Sequence, residues 1–455
     1  MKTARTPGGM LTFLAGLLTL ACWLAAGISQ VAAQAGNNAV FQSSTACTSG
    51  GCAPSAAFID ASVLSGTDIC AKIFSAIGQL PATGGVVDAR GIGPGTSQLC
   101  TSGTPWVQGT SGTTTPSIVL LPSGTITISK TWILPNGSKI IGQGSGAPGY
   151  SVTVIQPCTT TLGCSGNFIG TMIQLGPNST NSPLTACPST TGCVDVGVED
   201  VALQGGANGA SVAGGIVNGQ SQDMSYVRRV SIYQIGGIGL KIWNTAHNSG
   251  PYSDITFDSG TLGSSSTVCA QILSVSTRGI HGLTCKSESS TIPTLAVQVD
   301  SSNNSIKDVR IQGFGDGVVV GSTANALSNV LFNITGGTSV NHVVHLDATH
   351  TVKDVSIMGV SNGGNSSSDT ILDDVTVTTL SDAYVAMYVL GESTSIGGSN
   401  LAYSRFTTST NANAETWAAG SGTPSGACTK GSLFSDTAGT GDLYVCTSSG
   451  YWTAF

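Results

Sequence analysis

Charge is what this chain most lacks: only 9 per cent of its 455 residues are charged, against about 25 per cent in ordinary globular chains. Glutamate occurs four times, at Glu199, Glu288, Glu392 and Glu415. A chain so short of helix formers that also carry solvated charge is not mainly helical. The 16 basic residues are scattered and the net charge is −7, which argues against a nucleic-acid partner. There is no CxxC and no Cys/His cluster, so zinc sites of the usual spacing are excluded. The LxxLxLxxN signature of leucine-rich repeats is also missing.

What is abundant is glycine, 62 residues, together with a short phrase that returns eight times. It reads VEDVAL (198–203), VRRVSI (227–232), YSDITF (252–257), TRGIHGL (277–283, loosely), IKDVRI (306–311), LSNVLF (327–332), VKDVSI (352–357) and LDDVTV (372–377). The central aliphatics Val201, Val230, Ile255, Ile280, Val309, Val330, Val355 and Val375 are 29, 25, 25, 29, 21, 25 and 20 residues apart. Period-two alternation with Val and Ile suits a strand. One such strand cannot bury its apolar face alone, so the repeats must stack as the rungs of a solenoid. Three short strands and three turns fit in each circuit. The expected class is all-β, a single-stranded parallel β-helix, and the irregular rung lengths argue against strict short-repeat β-rolls.

The first 35 residues read as an export signal: Lys2 and Arg5, an apolar run from Met10 to Ile28, then Ala33-Gln34-Ala35 as the cleavage site. The expected location is therefore secreted, extracellular or on the cell surface, with no membrane span after cleavage. Twelve cysteines remain, in close sequential neighbours: 47 and 52, 70 and 100, 158 and 164, 187 and 193, 269 and 285, 428 and 446. An even count in an exported chain implies disulfides, and the small spacings suggest local staples.

Residues 36–57 read as a flexible polar lead. In TDICAKIFSAIGQLP (67–81) the residues Ile69, Ile73, Phe74 and Ile77 have helical spacing, with Thr67 or Asp68 placed to cap. Strands follow at GGVVDARGIG (84–93) and through SIVLLPSGTITISKTWILPNGSKIIGQGSG (117–146). The run LPATGGVVDA, a P-x-G turn into a T-I-x-I strand and LPNGSKIIGQGSG resemble the N-terminal cap of the pectate-lyase-like right-handed β-helix superfamily. That resemblance covers about residues 58–400 of a β-helix domain expected over 58–406, and implies a right-handed solenoid whose open end is closed by a short capping helix. Residues 407–426 read as a linker, and 427–455 as a small β module stapled by Cys428 and Cys446.

Members of the superfamily act on or bind polysaccharide, so the resemblance implies a polysaccharide partner. An enzyme on this fold would be a glycoside hydrolase or a uronate lyase. A lyase would also need a base such as Arg and Ca²⁺ as cofactor. Polygalacturonase-type hydrolases carry Asn-Thr-Asp, Asp-Asp, Gly-His-Gly and Arg-Ile-Lys in order. This chain has Asn244-Thr245-Ala246, Ile280-His281-Gly282 and Arg310-Ile311-Gln312. Ala246 replaces the first carboxylate, no Asp-Asp follows at a comparable distance, and Gln312 replaces the lysine. The site expected from the residues themselves is Asp254 and Asp258, four apart on a strand and so on one face, with Arg278 and His281 one rung later. His342, His345 and His350 read as structural, because an odd separation puts the first two on opposite strand faces. The second reading is a non-catalytic, glycan-binding or surface-structural β-helix.

Overall fold

The computed structural model describes residues 57–333 apart from 147–151, 244–245, 275–276 and 323–324. Beyond these it describes 342–346, 356–362, 371–373, 384–390, 417–420 and short segments between 423 and 454. The signal segment, the Cys47 and Cys52 pair, His350 and most of the 407–426 segment lie outside the described residues.

Two long parallel sheets run the length of the solenoid. One takes a strand from every rung, from Phe58–Asp60 through Gly197–Gln204, Tyr226–Tyr233, Tyr252–Asp258, Ile280–Lys286 and Ser305–Gln312 to Tyr384–Leu390. The other stacks nine strands, among them Gly214–Asn218, Ile238–Ile242, Val268–Ile272, Leu295–Val299 and Asp316–Val320. Inward residues of both close one core, with Trp132, Tyr252, Phe257 and Phe314 among its largest buried side chains.

The first sheet is bent, and the bend supplies the expected third strand of each circuit. Asp200, Arg229, Asp254, Gly282 and Asp308 all have φ between +51° and +68°, and the pairing register skips each of them. They stack as one left-handed corner, rung upon rung. Asp and Gly are residues that tolerate this conformation, which explains why they recur before the central aliphatic. At Arg229 the corner is held by ion pairs to the rung below. In the earlier rungs the two arms are separate strands: Lys139–Ile141 pairs with 197–199, and Thr153–Pro157 with 202–203. Substituting Gly282 by Ala puts a Cβ into the left-handed region, so the unfolding free energy from urea titration should fall by about 1–2 kcal/mol, with a lower midpoint. An unchanged midpoint would mean that the corner carries no backbone constraint.

The register corrects three of the eight repeats. Ile280 lies opposite Tyr252 and Ile306, and Leu283 opposite Ile255 and Val309. The central aliphatic of that rung is therefore Leu283, and the phrase is IHGLTC with Gly282 at the corner. In the later rungs Ile357 lies opposite Leu327, so the described end of VKDVSI is not in the expected register; Val355 and Val375 lie outside the described residues. Ile371–Asp373 belongs to the second sheet, and Tyr384–Leu390 takes the first-sheet place expected of LDDVTV. An alternating hydrophobic phrase fits either sheet, since both bury alternate residues; cross-rung pairing decides which one it joins.

The capping helix spans Ile69–Ile77, with Asp68 as N-cap accepting from the Ala71 N–H at 2.9 Å. The second Asp68 oxygen accepts from Thr101 and Ser102 N–H groups, both at 2.7 Å, beside the Cys70–Cys100 disulfide. One aspartate thus caps the helix and ties it to the strand that the disulfide staples. The pairs Cys158–Cys164, Cys187–Cys193, Cys269–Cys285 and Cys428–Cys446 form as the spacing suggested. Among the described residues no helix is long and apolar enough to cross a membrane. The C-terminal module has antiparallel strands Leu433–Asp436, Leu443–Ser448 and Tyr451–Ala454. Its sheet also takes in Trp417–Gly420, from the segment read as a linker.

Candidate functional site

The left-handed corner changes which side chains share a face. On an unbroken strand Asp254 and Asp258 would point the same way, but the turn at Asp254 resets the alternation. Ser253, Thr256 and Asp258 are turned outward, Ile255 and Phe257 are buried, and Asp254 stands exposed on the corner itself. Asp258 lies at the far end of the second arm, where Oδ2 faces Lys286 Nζ at 3.5 Å and Oδ1 accepts from the Gly260 N–H at 2.8 Å. Lys286 is shared with Glu288 at 2.5 Å. The hydrogen bond to Glu288 raises the Lys286 pKa against a burial effect that would lower it, and the Asp258 charge adds to the rise.

Arg278 is likewise drawn elsewhere. It closes the turn before its rung, and its guanidinium faces Asp223 Oδ1 and Met224 Sδ, each at 3.4 Å. Asp254 and His281 are the two expected residues that the fold brings together. His281 is the register neighbour of Ser253. A Cβ placed on Gly282 would lie 3.1 Å from Asp254 Oδ1, so the carboxylate leans over the glycine beside His281. On the next rung Lys307 pairs with His281 in the register, and Asp308 occupies the corner.

Two stacked columns hold this chemistry. The first runs Glu199, Arg228, Ser253, His281, Lys307; the second, the corner, runs Asp200, Arg229, Asp254, Gly282, Asp308. The lower end is charge-compensated. Arg228 Nη2 reaches Glu199 Oε1 at 2.7 Å, Arg229 also contacts Glu199, and Arg229 grips Asp200 through Nε at 2.7 Å and Nη2 at 2.8 Å. Tyr226 donates its hydroxyl to Glu199 Oε2 at 3.1 Å. Burial and then the Glu199 charge push the Tyr226 phenol up to about 12.

The upper end differs. Among the described residues Asp254, His281, Lys307 and Arg310 make no side-chain hydrogen bond or ion pair. Asp254, Lys307 and Arg310 are exposed. Between the two corner carboxylates Gly282 contributes no side chain, so a notch one rung wide opens there. Adjacent parallel strands are about 4.8 Å apart, which separates the Asp254 and Asp308 backbones by roughly 9–10 Å. Lys307 and Asp308, the latter in the slot of the repeat that Asp254 also fills, were not among the residues expected at the site. The recurrence of Asp or Gly at that slot was the available signal, because those residues accept positive φ. Among the described residues no three His, Cys, Asp or Glu side chains gather as a metal site. His345 Nδ1 lies 3.3 Å from Asp316 Oδ2 on the second sheet, away from the corner.

Fold and corner together define a parallel β-helix protein whose left-handed corner carries no side chain at Gly282. No family model matches the chain, and no curated protein does. Among solved structures it is similar to ORF18 of Geobacillus virus E2, at 13% identity and a TM-score of 0.40, over 74% of this chain and 62% of that one. The chain thus spans about three fifths of that viral protein. It is also similar to a polygalacturonase from Erwinia carotovora ssp. carotovora, at 12% identity and TM-score 0.30, over 78% of this chain and 100% of that one. A third likeness is to the A-module of a mannuronan C-5 epimerase from Azotobacter vinelandii, at 16% identity and TM-score 0.29, over 62% and 91%.

Proposed function

We propose that this is an exported protein that engages polysaccharide across the corner at Gly282, with Asp254 and Asp308 flanking the bound chain. The observation that carries this reading is the set of outward, uncompensated groups at Asp254, His281, Lys307 and Arg310. Elsewhere on the same columns charge is paired off; here it is left for a ligand. Lys307 and Arg310 offer cations to a uronate carboxylate, and the disulfides suit an oxidising compartment outside the cytosol.

Hydrolysis is the reaction that the carboxylate spacing suits. Inverting glycoside hydrolysis needs a carboxylic acid to protonate the leaving oxygen and a carboxylate to activate water, about 6.5–9.5 Å apart. The support for this reading is that Asp254 leans over Gly282, toward the rung of Asp308, from a backbone separation of roughly 9–10 Å. Elimination fits less well, because Arg278, the arginine among the residues expected at the site, is turned to Asp223. No step is assigned to Ca²⁺.

The test is incubation with uronate and neutral polysaccharides, with and without Ca²⁺, following reducing ends and unsaturated product. Reducing ends without unsaturated product are expected. Asp254→Asn keeps a residue suited to positive φ and should lower the rate by a factor of about ten or more. Unsaturated product would replace hydrolysis with elimination, and binding without either product would leave the non-catalytic reading. Neither binding nor turnover on any glycan would remove the polysaccharide reading altogether.

A further inference from the structure

Trp243 follows the second-sheet strand Ile238–Ile242, on a part of the surface that the corner notch does not use. Most large apolar side chains of the solenoid are buried, including Trp106 and Trp132, yet the Trp243 side chain leaves the residue 42% exposed. It is held in place from below. The Trp243 backbone N–H donates to the Asn218 carbonyl at 2.9 Å, and the indole lies directly on Gly219 of the preceding rung. A Cβ at Gly219 would come within 2.5 Å of the indole Nε1 and 3.0 Å of Cδ1. Only glycine lets the indole seat there. Lys241 Nζ lies over the ring, 5.1 Å from its centroid, on the outward face of the strand, where its register neighbours are Val217 and Gln271.

An indole seated on backbone and left open to solvent is an apolar surface of fixed orientation, costing little conformational entropy when a ligand lies on it. The ring face carries the negative lobe of the aromatic quadrupole, which attracts the electropositive C–H edges of a pyranose as it attracts the Lys241 ammonium. That ammonium is positioned to meet an anionic group on the same sugar. We infer that Trp243 and Lys241 form a second saccharide subsite, one that stacks a pyranose unit and pairs its carboxylate, apart from the notch at Gly282. This inference rests on the polysaccharide reading for its ligand class, but its residues and its surface are separate.

The experiment is titration of the full chain with oligogalacturonides and their methyl-esterified counterparts, read by affinity electrophoresis and by tryptophan fluorescence. Trp243→Ala should weaken binding about tenfold with an unchanged melting curve, and Trp243→Phe should retain part of the affinity. Lys241→Gln should weaken the acidic ligand alone and leave the esterified one as it was. Unchanged affinity in Trp243→Ala would overturn the subsite, as would equal losses of both ligands in Lys241→Gln. Asp254→Asn separates the two claims: if it loses turnover or affinity while Trp243→Ala binds normally, the notch stands and the subsite falls. If Trp243→Ala loses affinity while Asp254→Asn behaves as wild type, the subsite stands and the notch falls. No binding of any oligosaccharide by the wild type overturns both.

Discussion

Replacing Phe257 by Ala should destabilise the protein by about 3–5 kcal/mol, the cost of a buried aromatic removed from a core that cannot collapse around the gap. Phe257 is fully buried, between Ile232 below and Cys285 above in the same inward column. Its ring reaches across to the second sheet, where a Cβ on Gly239 would lie 2.5 Å from Cδ2. It therefore bridges the two sheets at one level of the solenoid. Because stacked rungs contact chiefly their neighbours, the loss should appear first as reduced amide protection in strands 226–233, 252–258 and 280–286. An unfolding free energy within about 1 kcal/mol of wild type and unchanged hydrogen exchange there would show that the rungs do not depend on this bridge.

The second large effect is expected at Glu199, whose side chain is 10% exposed against 41–45% for its arginine partners. Burial by itself would raise the carboxyl pKa. The Arg228 hydrogen bond and charge, the Arg229 charge and the Tyr226 hydrogen bond outweigh it and hold the group below its ordinary 4.5. Removing the carboxylate strands two cations and a phenol. A fully buried pair broken in this way costs about 3–5 kcal/mol, but both guanidinium groups can turn to water, so Glu199→Ala should cost about 2–3 kcal/mol.

The pH dependence has a definite sign. A folded pKa below the unfolded one means that the unfolded chain binds the proton more tightly, so the contribution is complete above about 4.5 and is lost as pH falls toward the folded value. Wild type should lose stability in that acid window, and Glu199→Gln should lose less of it. The same variant should let Tyr226 ionise at lower pH, visible as an earlier tyrosinate absorbance, since the Glu199 charge helps to raise it. Parallel acid curves for the two proteins would separate Glu199 from acid sensitivity.

Much of the architecture was legible from local pattern. The capping helix announced itself by Asp68 and by apolar residues at helical spacing, and five disulfides formed between neighbours in sequence because each closes a short loop or ties adjacent elements. The placement of the expected site residues was legible only in part. Asp254 and His281 both lie beside the corner on successive rungs, whereas Asp258 and Arg278 are engaged by Lys286 and Asp223. A period-two reading assumes an unbroken strand, and one residue at positive φ in each rung is enough to defeat it.

By itself, then, the sequence determined that the chain is a stack of short parallel strands, because no single VxxVxI phrase can bury its own apolar face and the phrase returns eight times. Tertiary structure decided the register, making Leu283 instead of Ile280 the central residue of its rung, and it decided the site. Glu199 and Asp200 were neutralised from the rung above, while Asp254, His281 and Lys307 were left facing outward beside a glycine. The physical reason is that each of these pairings joins residues more than 20 positions apart across a 4.8 Å step, and a charge pattern read along the chain does not contain that direction.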